Sequence, residues 1–310
     1  MTDHHSATAR LPIAVPAASA HIRPVTDRGG IALAALGVLA FSLTFPATVW
    51  GLDGLGPWTL TCARVALGAV AAAAWLALTR TPPPERRHWP GLATVAAGTL
   101  IGFPLLTTLA LQTSSTAHAA VVVGLLPITT ACYVTFRTGS RPSRAFWGAA
   151  LVGAAAVLVF ALQQNGGAPT AGDGYLLLAL LICAAAYGEG GRLAGELPGW
   201  HVVAWALTAC LPLAVAGLVA ALLAEPAELT ARAAVGLLWL AAGSQVLGIV
   251  VWYRGLARAG IARASQLQLA QPLLTLVWAV LLLDERLTLA APLTAVAVLV
   301  CIVITQRSRG

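Results

Sequence analysis

Residues 264–275 read ASQLQLAQPLLT, placing Ser265, Gln266, Gln268, Gln271 and Thr275 in a run otherwise apolar enough to cross a bilayer, with Pro272 directly after Gln271. Amides and hydroxyls donate and accept hydrogen bonds without ionising, so the chemistry on offer is recognition of a polar solute. At about 100° per residue Ser265, Gln268, Gln271 and Thr275 cover one helix face, Trp278 lies at its edge, and Gln266 points away. A polar stripe on a membrane helix must meet protein or water. Pro272 has no N–H and disturbs the carbonyl one turn back, at Gln268, which offers backbone acceptors beside the amides. This predicts that the stripe lines a solute cavity. The alternative is that the amides hold helices together, at about 0.6 to 2 kcal/mol each, a role that needs no proline in the same turn.

Charged groups inside apolar runs are few. Arg64 lies six residues, roughly 9 Å, below Trp58, so its guanidinium either holds an anionic group or a carbonyl within the membrane or snorkels outward. Glu189, with Arg192 three residues on, is either an ion pair at the inner mouth or a protonatable coupling site. His118, just inside the outer end of its run, is either a packing residue or a proton relay. Asp284 and Glu285 stand at the start of the last apolar run, where capping that helix accounts for them. The five cysteines, Cys62, Cys132, Cys183, Cys210 and Cys301, all fall inside apolar runs without metal-ligand spacing and read as packing residues.

These residues are carried by a chain that is 59% hydrophobic and 9% charged, with a mean hydropathy of +0.84, the composition of an integral membrane protein. Apolar runs at about 30–51, 57–79, 89–111, 116–136, 145–162, 174–191, 200–224, 233–253, 264–283 and 287–306 predict ten transmembrane helices of about 20 residues. Loops between them are too short for a catalytic domain. All 18 basic residues are arginine. With the N-terminus in the cytoplasm, fifteen fall in inside segments and two, Arg232 and Arg286, in outside loops. The bias alternates loop by loop, which supports the helix count and places both termini in the cytoplasm. Residues 1–29 read as a disordered cytoplasmic tail and 307–310 as a cytoplasmic end.

Sliding the chain by 145 residues lays GTLIGFPLLTTLALQTSSTAHAAVVVGLLP (98–127) on GSQVLGIVVWYRGLARAGIARASQLQLAQP (243–272), pairing Gly98 with Gly243, Leu111 with Leu256, Ala117 with Ala262 and Pro127 with Pro272. Two five-helix repeats follow, 30–162 and 172–306, joined by an outer linker at 163–171. An odd helix number inverts the second repeat relative to the first. Such repeats put a substrate site near the midplane at broken helices, which Pro127 and Pro272 mark.

The stretches GPWTLTCARVALGA (56–69), ALQTSSTAHAAVVVGLLPITTA (110–131) and above all ASQLQLAQPLLTLVWAVLLLDERLT (264–288) resemble the drug/metabolite transporter superfamily, EamA-type, ten-helix members, over roughly residues 30–306. The first repeat departs from the pattern, since CYVTFRTGSRPS has no glutamate where Glu285 stands in the second. The resemblance implies a carrier that moves a small organic solute by alternating access, often outward, without saying which solute. The expected fold is therefore an all-α integral membrane protein of ten helices in two inverted repeats. The expected function is export of an amino acid or similar metabolite across the bacterial cytoplasmic membrane, as a monomer or homodimer. A lipid or lipid-linked-sugar translocase on the same fold is the alternative, with only Arg64 as a headgroup site. An enzyme would need His, Asp or Glu clustered at one membrane face, and none is visible. With no lysine for a phosphate-binding loop, ATP drive within the chain is excluded. No cofactor, metal or nucleic acid is expected, and coupling to protons stays open.

Overall fold

The structure, a computed structural model, describes residues 28–139, 141–164, 166–259 and 267–307. Among them secondary structure is helical apart from one isolated bridge between Leu55 and Ala227, as a bilayer demands of a chain that must satisfy its own backbone groups. Eight stretches are long and apolar enough to cross a membrane: α1 (Arg28–Leu52), α2 (Pro57–Leu78), α3 (Arg86–Ala110), α4 (Thr116–Thr138), α5 (Arg144–Gln164), α6 (Ala171–Leu193), α7 (Gly199–Ala224) and α8 (Ala231–Leu256). Two shorter apolar helices follow, α9 (Gln271–Leu283) and α10 (Ala290–Arg307). The N-terminal residues 1–27 lie outside the described residues, and α1 begins at Arg28, two residues before the expected start of the first repeat.

Several helices are interrupted. A turn at Leu43 divides α1. In α3 the segment Ala96–Gly102 is π-helical and leads into a segment with Pro104 in its first turn; in α8 the π-helical segment is Trp239–Gly248. A two-residue turn at Gly124–Leu125 divides α4, and another at Leu269–Ala270 precedes α9. At the 145-residue offset the two turns coincide, and the π segment of α3 falls within that of α8. Pro127 and Pro272 both occupy the first turn of the helix that restarts after the turn, where a missing N–H leaves no bond unmade. The interruption lies just before Pro272, at Leu269–Ala270, which corrects the single helical phase expected for Ser265, Gln268, Gln271 and Thr275. Because the turn resets the helical phase, the 100° arithmetic holds from Gln271 onward and does not carry back to Gln268. The two turns face each other: a Cβ on Gly124 would lie 3.7 Å from Cγ of Pro272.

Packing interleaves the two halves. The principal pairs include α2 with α7, α1 with α8, α3 with α6, α5 with α10, α4 with α6, α1 with α9 and α4 with α9; adding five to each number, modulo ten, returns the same set. Small residues permit the close pairs. Gly255 of α8 abuts the backbone of α1, where a Cβ would come within 2.5 Å of the Ala34 nitrogen. The largest apolar core gathers α4, α5, α6, α9 and α10 around Phe160, Leu176, Leu180 and Ile302. A second joins α2, α3 and α7 around Val65, Leu92 and Leu207. The outward faces of α5 and α10 expose Leu151, Val152, Leu158, Leu293, Val296 and Val300, as lipid-facing helices do.

Candidate functional site

The break in α1 organises the polar interior. Pro46 supplies no N–H to the carbonyl of Ser42, four residues back. That carbonyl instead accepts a hydrogen bond from Thr275 Oγ1 of α9 at 3.0 Å, and the same hydroxyl lies 3.0 Å from the Gln271 carbonyl. Ser42 Oγ accepts from Trp278 Nε1 at 2.9 Å and donates to the Leu39 carbonyl at 2.8 Å. One residue beyond the break, Thr44 Oγ1 meets Ser244 Oγ of α8 at 2.8 Å. The adjacent Gln245 takes a hydrogen bond on Oε1 from Arg64 Nε of α2 at 3.1 Å. Ser42, Arg64, Ser244, Gln245 and Thr275 are all buried. A chain of polar side chains thus links α9, α1, α8 and α2 where α1 is broken, α8 is π-helical and α9 restarts. Irregular backbone at membrane depth is tolerated where it is buried in protein or lines a cavity, and π segments recur at functional sites.

Arg64 does not snorkel; it is 6% exposed. Thr275 and Trp278 of the expected stripe join the chain through Ser42, whereas Gln271 and Gln268 are half-buried. Ser265 and Gln266 lie outside the described residues. His118 of α4 is buried, stacks on Phe160 and approaches Asp173 Oδ1 of α6 through Nε2 at 2.7 Å. Glu189 is bound by Arg192 through Nε at 2.9 Å and Nη2 at 2.6 Å. Arg192 also reaches Glu196, which pairs in turn with Arg87 and His88. The hydrogen bond with His88, more than the nearby arginines, holds Glu196 below the usual carboxylate range.

Glu285 requires a correction. Its oxygens accept from the backbone N–H groups of Thr116 at 2.8 Å and Ala117 at 3.0 Å, so it caps α4 and not α10. Glu225, which drew no attention in the sequence, does the same for α2 through the N–H groups of Trp58 and Thr59. Each carboxylate sits where a helix N-terminus concentrates unpaired donors and positive dipole, and each ties the end of a helix in one half to the start of a helix in the other. Two cavities open at this end. One of about 590 Å³ is lined by Val49, Leu52, Asp53, Leu111, Gln112 and Glu228; the other, about 370 Å³, by Ser114, Ser115, His118, Glu285, Arg286 and Thr288.

Sequence reasoning missed Ser42, Thr44, Ser244, Gln245 and Asp173. A signal for two of them existed, since Ser244 and Gln245 are adjacent polar residues in an otherwise apolar run from Leu237 to Val251.

The comparisons with known proteins agree with this architecture. The profile of the EamA-like transporter family matches residues 28–162 and again residues 170–306. The uncharacterized transporter YdeK of Bacillus subtilis (strain 168) is 39% identical over 275 residues, which cover 88% of this chain and 95% of that protein. A solved crystal structure superposes with a TM-score of 0.62 at 20% identity, over 90% of this chain and 97% of the other, a likeness of fold. The chain is a multi-pass membrane transporter and belongs to the EamA-like transporter family of the drug/metabolite transporter superfamily.

Proposed function

We propose that this protein is a secondary transporter that exports a small polar or amphipathic organic metabolite, such as an amino acid, across the bacterial cytoplasmic membrane by alternating access, and that it has no enzymatic activity of its own. The observation that carries the reading is the buried polar chain from Arg64 through Gln245, Ser244, Thr44 and Ser42 to Thr275 and Trp278. It sits at helix interruptions, the place where carriers built from inverted repeats bind solute. In this reading α1–α5 and α6–α10 are two five-helix repeats, each element a membrane span, and the second is inverted because five is odd. Support comes from the coincident interruptions at the 145-residue offset, from helix pairings unchanged when every number shifts by five, and from a family profile that matches each half separately. Gln268 and Gln271, half-buried beside the turn, face the solute path. A proton gradient supplies the drive, with His118–Asp173 and Glu189 as the coupling candidates. The functional unit is a monomer or homodimer.

Cells with and without the protein, loaded with a panel of amino acids and toxic analogues, test the reading: at least one solute should be retained less where the protein is made. Equal retention of every solute, together with scrambling of a fluorescent lipid in vesicles holding the purified protein, would assign the chain to lipid translocation instead. Orientation is tested separately. A reporter active only outside the cytoplasm should be silent after Gly310 and active in the loop at Gly167; activity at the C-terminus would mean an odd number of spans and would remove the inverted repeat.

A further inference from the structure

Around Arg64 the interior holds more donors than acceptors. Among the described residues Arg64 is the buried arginine, and its one hydrogen bond is from Nε to Gln245 Oε1. No carboxylate of a described residue pairs with it, and the terminal guanidinium nitrogens make no hydrogen bond there. A guanidinium donates only, so the atom it meets must be the amide oxygen, which fixes the orientation of Gln245 and turns Nε2 the other way. Among the described residues that Nε2 is buried without a partner. It points at α2 where Gly68, one turn from Arg64, leaves room: a Cβ on Gly68 would lie 2.6 Å from it. The hydroxyl of Thr61, on the same face of α2, is also buried with no partner among the described residues.

A charge held inside a membrane bundle normally has an anionic or carbonyl partner, and an unpaired buried amide donor carries its full desolvation penalty. Both deficits are met by a single anionic group. We infer that Arg64 and Gln245 form an anion subsite that takes the carboxylate of the transported solute, with the terminal nitrogens of Arg64 and Nε2 of Gln245 as its donors. This inference rests on the transport reading above and adds to it the class of solute. The planar guanidinium fork matches a carboxylate. One carboxylate cancels one guanidinium, whereas a phosphate dianion would leave net negative charge within the bilayer with no second buried Lys or Arg among the described residues to offset it.

The test uses the full-length protein in detergent micelles with L-leucine, L-phenylalanine and hexanoate as probes, each beside its primary amide, which keeps the shape and removes the negative charge. At least one acid should raise the melting temperature in a saturable way, with its amide binding about tenfold more weakly or worse, the loss expected for charge-assisted hydrogen bonds. In Arg64→Gln and in Gln245→Leu the preference for acid over amide should fall below about threefold. Gly68→Ala, which displaces the Gln245 amide and leaves Arg64 in place, should weaken acid binding and not amide binding. That variant keeps the test open where loss of Arg64 prevents folding. Acids and amides that stabilise equally, or no stabilisation by any acid, would overturn the subsite. Acid binding without flux in vesicles would remove the transport reading and leave the subsite standing; flux with no preference for acids would do the reverse.

Discussion

The π-helical segments of α3 and α8 occupy matching places in the two halves, yet that of α8 is joined to its neighbours by hydrogen bonds between oxygen and nitrogen atoms, while that of α3 is held mainly by close packing. At the 145-residue offset Ser244 and Gln245 correspond to Thr99 and Leu100. Ser244 meets Thr44 across to α1 and Gln245 meets Arg64 across to α2, whereas the buried hydroxyl of Thr99 has no oxygen or nitrogen partner among the described residues and meets the Cys183 thiol of α6, a weak partner. The neighbours differ accordingly. α1 is broken at Leu43 beside the α8 segment, while α6 runs unbroken from Ala171 to Leu193 beside that of α3. There Gly98 sits so close to α6 that a Cβ would lie 2.5 Å from Cβ of Ala186 and 2.6 Å from the Ile182 carbonyl oxygen. An irregular backbone alone therefore does not make a site. Of these two places, among the described residues, polar side chains of neighbouring helices bond one another at the junction of α1, α2, α8 and α9, where the site is proposed.

The largest effect should separate the two junctions by function. Gln271→Leu removes an amide beside the polar junction while leaving its helix more apolar and easier to insert. Transport per folded molecule should fall about tenfold or more, the loss of one good hydrogen bond to solute. Leu126 corresponds to Gln271 in the other half, and Leu126→Met, which conserves volume, should leave the same ratio within about twofold. Equal ratios for both variants and the parent would mean that the Gln271 amide only holds helices together.

A smaller effect concerns stability. Gly98→Ala forces a methyl against a carbonyl and a methyl of α6, and overpacking of this kind costs about 1 to 3 kcal/mol. At the corresponding Gly243, a Cβ meets the Trp239 ring of its own helix at 2.8 Å, a side chain that can turn aside. Thermal melting in detergent should therefore fall clearly for Gly98→Ala and by less for Gly243→Ala. The reverse order would place the tight junction in the wrong half.

Much of this architecture is legible in the sequence, because a bilayer forces long apolar runs and the arginines punctuate them; the first eight runs match α1–α8 to within a few residues at each end. Two of the interruptions carry a mark as well, Pro127 and Pro272 at the 145-residue offset, whereas the break at Leu43 and the two π-helical segments carry none that was read. What the polar residues do was not legible, because each partner lies far along the chain: Ser42 with Thr275 and Trp278, Thr44 with Ser244, Arg64 with Gln245. A serine in an apolar helix carries no local mark of its partner. Glu285 shows the same limit, since its spacing announces a helix cap and only the tertiary arrangement says that the helix is α4. Asp173 was hidden by a role that is itself local: with Thr170 it forms a capping box at the start of α6, and its second bond, to His118, depends on α4 packing alongside.

The smallest effect tests whether the contrast between the junctions is energetic. Ser244→Ala leaves the Thr44 hydroxyl without its cross-helix partner, and hydrogen bonds between membrane helices average about 0.6 kcal/mol with a maximum near 1.7. Thr99→Val, at the corresponding place in α3, removes a hydroxyl whose polar neighbour among the described residues is the Cys183 thiol and replaces it with a methyl of nearly the same shape. Because a thiol is a weak hydrogen-bond partner and a poorly satisfied buried polar group keeps most of its desolvation penalty, this variant should be neutral or more stable by up to about 1 kcal/mol. The two substitutions each remove one hydroxyl at equivalent positions, so the sign of the change is the discriminating readout. Melting in detergent should move down for Ser244→Ala and up or not at all for Thr99→Val. Two shifts of the same sign would mean that the Thr44–Ser244 bond contributes no more than the weak contact of Thr99 with the Cys183 thiol, and that both junctions owe their stability to packing.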